Sequence, residues 1–133
     1  MTEKTFPASD AALHEALDLV EQTLTDAGCP MKTVLQITVC VEEMFVNVAH
    51  YAYGENEGDV TLAVGVEDGI ASITLIDSGI PFDPLQAKEP DITLSAAERS
   101  IGGLGIFMVR KSMDEVSYER RDGQNRFTMK KKL

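Results

Sequence analysis

Apolar residues recur at helical spacing in two stretches of the N-terminal half of the chain. Leucine or valine occupies positions 13, 17, 20 and 24, which predicts a helix that begins at Ser9 or Asp10, either a suitable N-cap, and runs to about Ala27. The segment Gly28-Cys29-Pro30 would end that helix. A broader apolar stripe between positions 34 and 48 predicts a second helix from about Lys32 to Ala52.

Alternation of apolar residues with polar or small ones predicts strands farther along the chain. Positions 60, 62, 64 and 66 are all valine or leucine, and Glu67-Asp68-Gly69 separates them from a second apolar run, Ile70 to Asp77. Because a turn of this length joins adjacent antiparallel strands, we expect a hairpin here.

The remaining segments complete an α+β pattern. They are an edge strand at about Lys4 to Ala8, a proline-bearing loop to about Ser100, a helix opened by Gly102 to Gly105 and reaching Met113, and a hairpin of Asp114 to Arg121 with Asn125 to Lys131. The three C-terminal lysines are predicted to be a solvated tail. The order β-α-α-β-β-loop-α-β-β predicts one domain, residues 1–133, in which three helices cover one face of a mixed, mainly antiparallel sheet.

Charge and composition restrict the possible partners. The chain has 12 basic and 22 acidic residues, a formal net charge of −10, which disfavours direct binding to nucleic acid or to anionic membranes. A local nucleotide pocket remains possible, because backbone NH groups and a cation can offset the overall field. The N-terminus lacks a signal peptide's apolar core, so we expect a cytoplasmic protein. Cys29 and Cys40 have no metal-ligand spacing and are interpreted as buried, reduced thiols.

A carboxylate and an amide stand four residues apart in the second predicted helix. Glu43 and Asn47 therefore share one helical face. Glu43 could polarise a hydroxyl or water, and the Asn47 side-chain oxygen could hold a hard cation. A solvated helix face, however, produces the same spacing without any chemistry.

Two further segments carry candidate chemistry. Asp77 ends an apolar strand, where it could accept a hydrogen bond from an exocyclic amine such as that of adenine, and Gly79 would let a flat ring approach the backbone. An Asx turn that ends the strand is the alternative.

The second segment is a glycine-rich loop. Gly102-Gly103-Leu104-Gly105 precedes a helix, whose N-terminal NH groups could bind an anion, although a tight turn would also explain the glycines. The spacing fits neither the P-loop nor the dinucleotide fingerprint, in which Met108 would have to be glycine. Arg99 could reach a γ-phosphate or be an ordinary exposed arginine.

In their order along the chain, these segments resemble the N, G1 and G2 boxes of the gyrase, histidine kinase and MutL (GHKL) ATPase superfamily. The N box corresponds to Glu43-x-x-x-Asn47, G1 to the segment Asp77 to Asp83, and G2 to Gly102-Gly103-Leu104-Gly105. The run ERSIGGLGIFMVRKSMDEVSY is most similar to the anti-sigma-factor serine kinases, and the resemblance extends from about Phe6 to Leu133.

The resemblance implies a two-layer ATP-binding fold of the Bergerat type and a role for each box. Asn47 would ligate Mg²⁺, Glu43 would be the catalytic carboxylate, and Asp77 would bind the adenine amino group. A mobile ATP lid would extend over about residues 86–101. The full set of implied ATP-binding residues is Asn47, Tyr51, Asp77, Gly79, Pro81, Phe82, Arg99, Gly102, Gly103, Leu104, Gly105 and Ile106.

The chain also departs from the family pattern. Tyr51 stands where many members have histidine, with His50 one place earlier, and His14 stands where some members have an arginine that contacts nucleotide and partner. Near the last strand, Asn125 or Arg126 replaces a threonine that lies near adenine in some relatives.

The resemblance implies a Mg²⁺-dependent ATP-binding serine kinase of the anti-sigma type. Such a protein would sequester a sigma factor and would phosphorylate an anti-anti-sigma (STAS-type) protein in a partner-switching pathway. A homodimer is possible, since relatives are commonly dimers. The alternative is a nucleotide-sensing binding module with little or no kinase activity.

Overall fold

A computed structural model of the chain describes residues 1–54, 56–86 and 103–133. Its helices are α1 (Leu13–Asp26), α2 (Met31–Asn47) and α3 (Gly103–Ser112), and its strands are β1 (Thr2–Pro7), β2 (Asp59–Glu67), β3 (Ile70–Asp77), β4 (Glu115–Arg121) and β5 (Gln124–Lys132). Short 3-10 turns occur at Asp10–Ala12 and Pro84–Gln86. The predicted order of helices and strands is confirmed. None of the helices in this described part of the chain is long and apolar enough to cross a membrane.

The strands form one sheet in the order β1-β2-β3-β5-β4. All four pairings are antiparallel, so the predicted mainly antiparallel sheet is confirmed. The prediction of a solvated lysine tail is wrong, because the C-terminal lysines belong to β5 and Lys131 pairs with Ala71 of β3. The Lys131 ammonium donates to the carbonyl of Ser112 at 2.6 Å, at the C-terminal end of α3, where the helix dipole favours a positive charge.

The cross-strand register places the apolar side chains on one face of the sheet. Leu62 of β2 opposes Leu75 of β3, which opposes Phe127 of β5, and all three are buried. Buried residues of every helix join the same core: Ala16, Val20 and Leu24 from α1, Val34, Ile37, Val41 and Phe45 from α2, and Ile106 and Val109 from α3. The opposite face is polar, and Thr74 and Thr128 are hydrogen-bonded across it at 2.9 Å. The two-layer α+β fold is therefore confirmed.

Two Asp-Gly turns set the register of the two hairpins. Asp68 and Gly69 have φ angles of 54° and 74°, and Asp122 and Gly123 have φ angles of 52° and 76°. Successive positive φ angles define the type I′ turn, whose twist matches that of the flanking strands. These turns therefore fix the pairing of β2 with β3 and of β4 with β5.

The second helix changes geometry at its end. α2 was predicted to reach Ala52, but regular α-helical geometry stops at Asn47 and the chain continues as a π-helical turn, Val48–Ala52. Such turns interrupt the i→i−4 ladder and often occur at functional sites. His50 in this turn contacts Asp10 through Nε2, at 2.8 and 2.9 Å from the two carboxylate oxygens, so the end of α2 is attached to the segment that precedes α1.

Candidate functional site

Glu43 of α2 lies against the first turn of α3. A Cβ atom built on Gly105 would overlap Oε2 of the Glu43 carboxylate, so glycine is the residue that leaves room for this contact. The contact joins two segments that the sequence analysis singled out separately, the N box and the G2 box. The solvated-face interpretation of Glu43 is therefore wrong, since its side chain is half-buried between two helices.

Asn47 lies one helical turn beyond Glu43 on the same side of α2 and is half-buried. Within the described ranges, no hydrogen bond joins its side chain to another residue. No group of three or more His, Cys, Asp or Glu side chains in those ranges could hold a metal ion. Mg²⁺ is commonly held by one or two protein oxygens together with substrate phosphates, and the Asn47 amide oxygen fits that chemistry.

The N-terminal turn of α3 provides backbone donors next to Glu43. The helix begins at Gly103, and the first four NH groups of a helix have no partner within it. Ile106 could contribute only its backbone NH to a ligand, since the residue is 4% exposed and its side chain belongs to the core. For Gly103 and Leu104 the structure describes the backbone alone. Arg99, Gly102 and nearly all of the predicted lid lie outside the described residues.

Asp77 occupies the end of β3, and the residue is 6% exposed. Its Oδ1 accepts the Gly79 NH at 2.9 Å, which is the Asx turn that the sequence offered as an alternative. The same oxygen accepts Nδ2 of Asn125 at 3.0 Å. Both of these hydrogen bonds engage Oδ1, so within the described residues Oδ2 takes no part in this network.

Asn125 connects Asp77 to the loop that follows it. Nδ2 of Asn125 also donates to the carbonyl of Ile80 at 2.8 Å, while Oδ1 accepts the Tyr118 hydroxyl at 2.5 Å and the Phe82 NH at 3.4 Å. The sequence analysis noted Asn125 only as a departure from the family and missed Tyr118. Asp77 and Asn125 are the polar ends of two apolar alternations, but only the pairing of β3 with β5 shows that they lie opposite each other.

The loop after β3 is also attached to the π-helical turn. The Ile80 NH donates to the carbonyl of Ala52 at 2.8 Å, and a Cβ atom on Gly79 would overlap that carbonyl. The Tyr53 hydroxyl donates to the Asp59 carbonyl at 2.5 Å and accepts the Ser78 NH at 2.9 Å. Gly79 is therefore required for close packing of two backbone segments.

A second cross-strand contact fixes the same loop. Arg120 of β4 donates from Nη1 to the Gly79 carbonyl at 2.8 Å. Sequence reasoning did not identify this arginine, because one arginine in an edge strand has no distinguishing pattern. Its guanidinium places a positive charge at the side of the loop that faces β4.

Three predicted site residues lie at the surface near these segments. Tyr51 is 44% exposed and Phe82 is 56% exposed, and Pro81 is exposed as well. The Tyr51 ring packs edge-on against that of His50, with 5.9 Å between ring centroids. These residues are thus available to a ligand or to another protein.

The site therefore has two parts, one on each side of the end of α2. One part is Glu43, Asn47 and the backbone donors of α3, which suit phosphates and a cation. The other is Asp77 with its loop, which presents a carboxylate acceptor in a largely buried setting. A ligand that uses both parts carries an anionic end and a planar end with a hydrogen-bond donor.

Comparison with known proteins agrees with this arrangement. Residues 6–131 match the histidine kinase-like ATPase domain. The chain is 30% identical to the serine/threonine-protein kinase BtrW of Bordetella bronchiseptica over 94 residues, which are 70% of this chain and 66% of that protein. It is 27% identical to the serine-protein kinase RsbW of Listeria monocytogenes over 95 residues, 68% of this chain and 60% of that protein. The chain thus matches about two thirds or less of the length of these relatives.

A solved structure has a similar fold. The crystal structure of the RsbU and RsbW domains of a Mycobacterium tuberculosis protein superposes with a TM-score of 0.66 at 15% identity, covering 100% of this chain and 33% of that one. At this identity the likeness concerns the fold alone. With the family match over nearly the whole chain, it leads to one conclusion: this protein belongs to the histidine kinase-like ATPase family, and its relatives by sequence are serine-protein kinases of the RsbW and BtrW type.

Proposed function

We propose that this chain is a Mg²⁺-dependent, ATP-binding serine kinase of the anti-sigma type, which phosphorylates another protein. The observation that carries the proposal is the contact between the Glu43 carboxylate and the first turn of α3 at Gly105. A carboxylate beside helix-terminal NH groups, which have no partner within the helix, puts a hydroxyl-activating group next to an anion-binding site. Phosphoryl transfer depends mainly on such positioning and on charge neutralisation.

Each part of the site would have a defined task. Asp77 would accept the exocyclic amine of adenine, and the NH groups from Gly103 to Ile106 would bind the phosphates. Glu43 would orient the serine hydroxyl of the substrate protein and take its proton as the oxygen–phosphorus bond forms and ADP leaves. Asn47 would hold Mg²⁺, which when bound neutralises phosphate charge that this acidic protein leaves uncompensated.

The proposed partners are a sigma factor, bound in one state, and an anti-anti-sigma protein of the STAS type, phosphorylated in a competing state. The named relatives are serine-protein kinases, which supports a protein substrate. A nucleotide can switch such partners only if each of them binds the nucleotide-bound and nucleotide-free forms with different affinity. In this scheme ATP occupancy supplies that difference. A cytoplasmic location and a possible homodimer belong to the same proposal.

A second function is a nucleotide-sensing module that binds a partner and transfers phosphate slowly or not at all. The observation that favours it is Tyr51, which is 44% exposed beside the site where many family members have a histidine. Binding of nucleotide and partner would be unaffected by that change, whereas transfer would be weakened.

The test is a phosphorylation assay with radiolabelled ATP. It combines the purified protein with each STAS-type protein encoded in the same genome. We expect Mg²⁺-dependent labelling of a serine on one of these proteins. Labelling should disappear in Glu43→Ala, while binding of ATP and of the partner persists. Glu42→Ala is the matched control, because Glu42 is the adjacent, exposed glutamate on α2.

The outcomes separate the two functions. No transfer by the wild-type protein to any STAS-type protein, together with retained binding of a partner, would favour the binding module. Titration with ATP, GTP and ADP, each with and without Mg²⁺, tests base selection and metal dependence in the same samples. Absence of any nucleotide-dependent rise in melting temperature would contradict both functions.

A further inference from the structure

We infer that Asn125 is the positioning residue that makes the site selective for adenine, an inference that rests on the proposed ATP-binding function. Asn125 is 6% exposed and lies opposite Asp77 in the pairing of β5 with β3. Its role would be to determine which oxygen of Asp77 faces a base and to hold the loop of residues 78–82 in one conformation.

The hydrogen-bond partners of Asn125 define the orientation of its amide. The Tyr118 hydroxyl and the Phe82 NH both point at Oδ1, and the NH can only donate. Nδ2 points at the Asp77 carboxylate and at the Ile80 carbonyl, and both of these groups accept its hydrogen bonds. Reversing the amide would turn its oxygen toward two acceptors and its NH₂ group toward the Phe82 NH, which can only donate.

This orientation has a direct consequence for Asp77. Its Oδ1 receives both Nδ2 of Asn125 at 3.0 Å and the NH of Gly79 at 2.9 Å. The carboxylate is therefore fixed with Oδ1 engaged, and among the described residues Oδ2 is the oxygen left to recognise a ligand.

The same amide holds the loop. Asn125 bonds the carbonyl of Ile80 and the NH of Phe82, and Arg120 bonds the carbonyl of Gly79. Ile80 is fixed from the other side by the Ala52 carbonyl. A loop held at the backbone of residues 79, 80 and 82 keeps the acceptor of Asp77 at a constant place, which discrimination between similar bases requires.

A fixed carboxylate acceptor distinguishes purines by the group at position 6 of the base. Adenine carries an amine at position 6, which donates to a carboxylate, whereas hypoxanthine and guanine carry a carbonyl there, which would oppose it. Without Asn125, the Asp77 carboxylate is free to rotate and to recruit a water molecule in place of the amide. Such a water can donate to a base carbonyl as well as accept from an amine, so the preference for adenine would decrease.

The measurement is the ratio of the dissociation constants for ITP and ATP, each with Mg²⁺. Inosine triphosphate has the same sugar and phosphates as ATP but a carbonyl at position 6. Asn125→Ala should lower the ITP-to-ATP ratio about tenfold or more, mainly through weaker ATP binding. Tyr118→Phe, which removes the hydroxyl that orients the amide, should lower the ratio about threefold.

Thr128→Val is the matched control, because it removes a cross-strand hydrogen bond of the same strand on the opposite face of the sheet. It should change stability while leaving the ratio unchanged. A purely structural role for Asn125 would weaken ATP and ITP equally, and that result would overturn the inference. If Asn125→Ala does not fold, Tyr118→Phe decides: an unchanged ratio in that variant also overturns it.

Failure of the inference is distinguishable from failure of the proposed function. A wild-type protein that binds neither ATP nor ITP would overturn the proposed function and the inference with it, whereas one that binds ATP no better than ITP would overturn the inference alone. A selective wild-type protein whose selectivity survives in the folded variants would overturn the role of Asn125 alone.

Discussion

Glu43 on α2 and Gly105 in the first turn of α3 are in direct contact, and the contact exists because residue 105 has no side chain. The two residues are 62 positions apart, and the sequence gives no indication that one needs the other. Their proximity makes the glycine a determinant of where the carboxylate lies. The position of the N-box carboxylate therefore depends on a residue of the G2 box, and mutation can measure that dependence.

Gly105→Ala should displace the Glu43 carboxylate without unfolding the protein. The end of a glutamate side chain can move at small cost, and alanine is favoured over glycine in a helix by about 1 kcal/mol. We therefore expect loss of phosphoryl transfer by about tenfold or more, with a change in the free energy of unfolding below about 1 kcal/mol. Initial rates of substrate labelling and urea denaturation measure the two effects.

A double-mutant cycle with Glu43→Ala identifies the cause. Once the carboxylate is removed, the overlap disappears and Gly105→Ala should stabilise the protein by the helix-propensity difference. Equal effects of Gly105→Ala on stability in both backgrounds would show that the carboxylate and residue 105 do not interact.

Asn47→Ala should remove the part of ATP affinity that depends on Mg²⁺. The amide oxygen is the proposed protein ligand, whereas the base and the α3 donors are unchanged by this substitution. We expect the ratio of dissociation constants without and with Mg²⁺ to approach one, which isothermal titration calorimetry measures directly. Glu42→Ala, an exposed neighbour on the same helix, is the control, and an equal loss of metal dependence in that variant would contradict the role of Asn47.

The elements could be predicted because their signals are local. Helical spacing of apolar residues gave α1 and α2, and Asp68-Gly69 and Asp122-Gly123 gave the hairpins, since positive φ angles at these positions suit a two-residue turn. The candidate carboxylates could be predicted from the motifs that contain them. The functional prediction depended on the family resemblance.

What could not be predicted depends on contacts between distant segments. The Asn125 network requires the register of β3 against β5, in which Asn125 opposes Asp77, and no local spacing contains that information. The π-helical turn at Val48–Ala52 depends on the loop that packs against it, because the Ile80 NH bonds the Ala52 carbonyl. The C-terminal lysines appeared solvated because the carbonyl at the end of α3 that binds Lys131 is distant in sequence.

Tyr53→Phe should lower the free energy of unfolding by about 1–2 kcal/mol. The hydroxyl connects the chain after α2 to both β2 and the loop after β3, since it donates to the Asp59 carbonyl and accepts the Ser78 NH. Removing it leaves two backbone groups without this partner. Urea denaturation measures the change, and Tyr51→Phe, whose side chain is 44% exposed, should be neutral within about 0.5 kcal/mol. A neutral Tyr53→Phe would show that water replaces both hydrogen bonds.

The two free cysteines should be unreactive in the folded protein. Cys29 and Cys40 are 9% and 2% exposed, and burial raises the pKa of both thiols, which leaves less of the reactive thiolate at a given pH. For Cys40, a hydrogen bond with Ser112 and the charge of Lys131 partly oppose this rise in the pKa. Because the raised pKa belongs to the folded state, its contribution to stability is complete below the ordinary thiol pKa of about 8.5 and is lost as pH rises above it. The free energy of unfolding of the wild-type protein should therefore fall more steeply between about pH 8 and 10 than that of Cys40→Ala. Two results would contradict the burial of this thiol: the same pH dependence of the free energy of unfolding in both proteins, or rapid alkylation of Cys40 at pH 8.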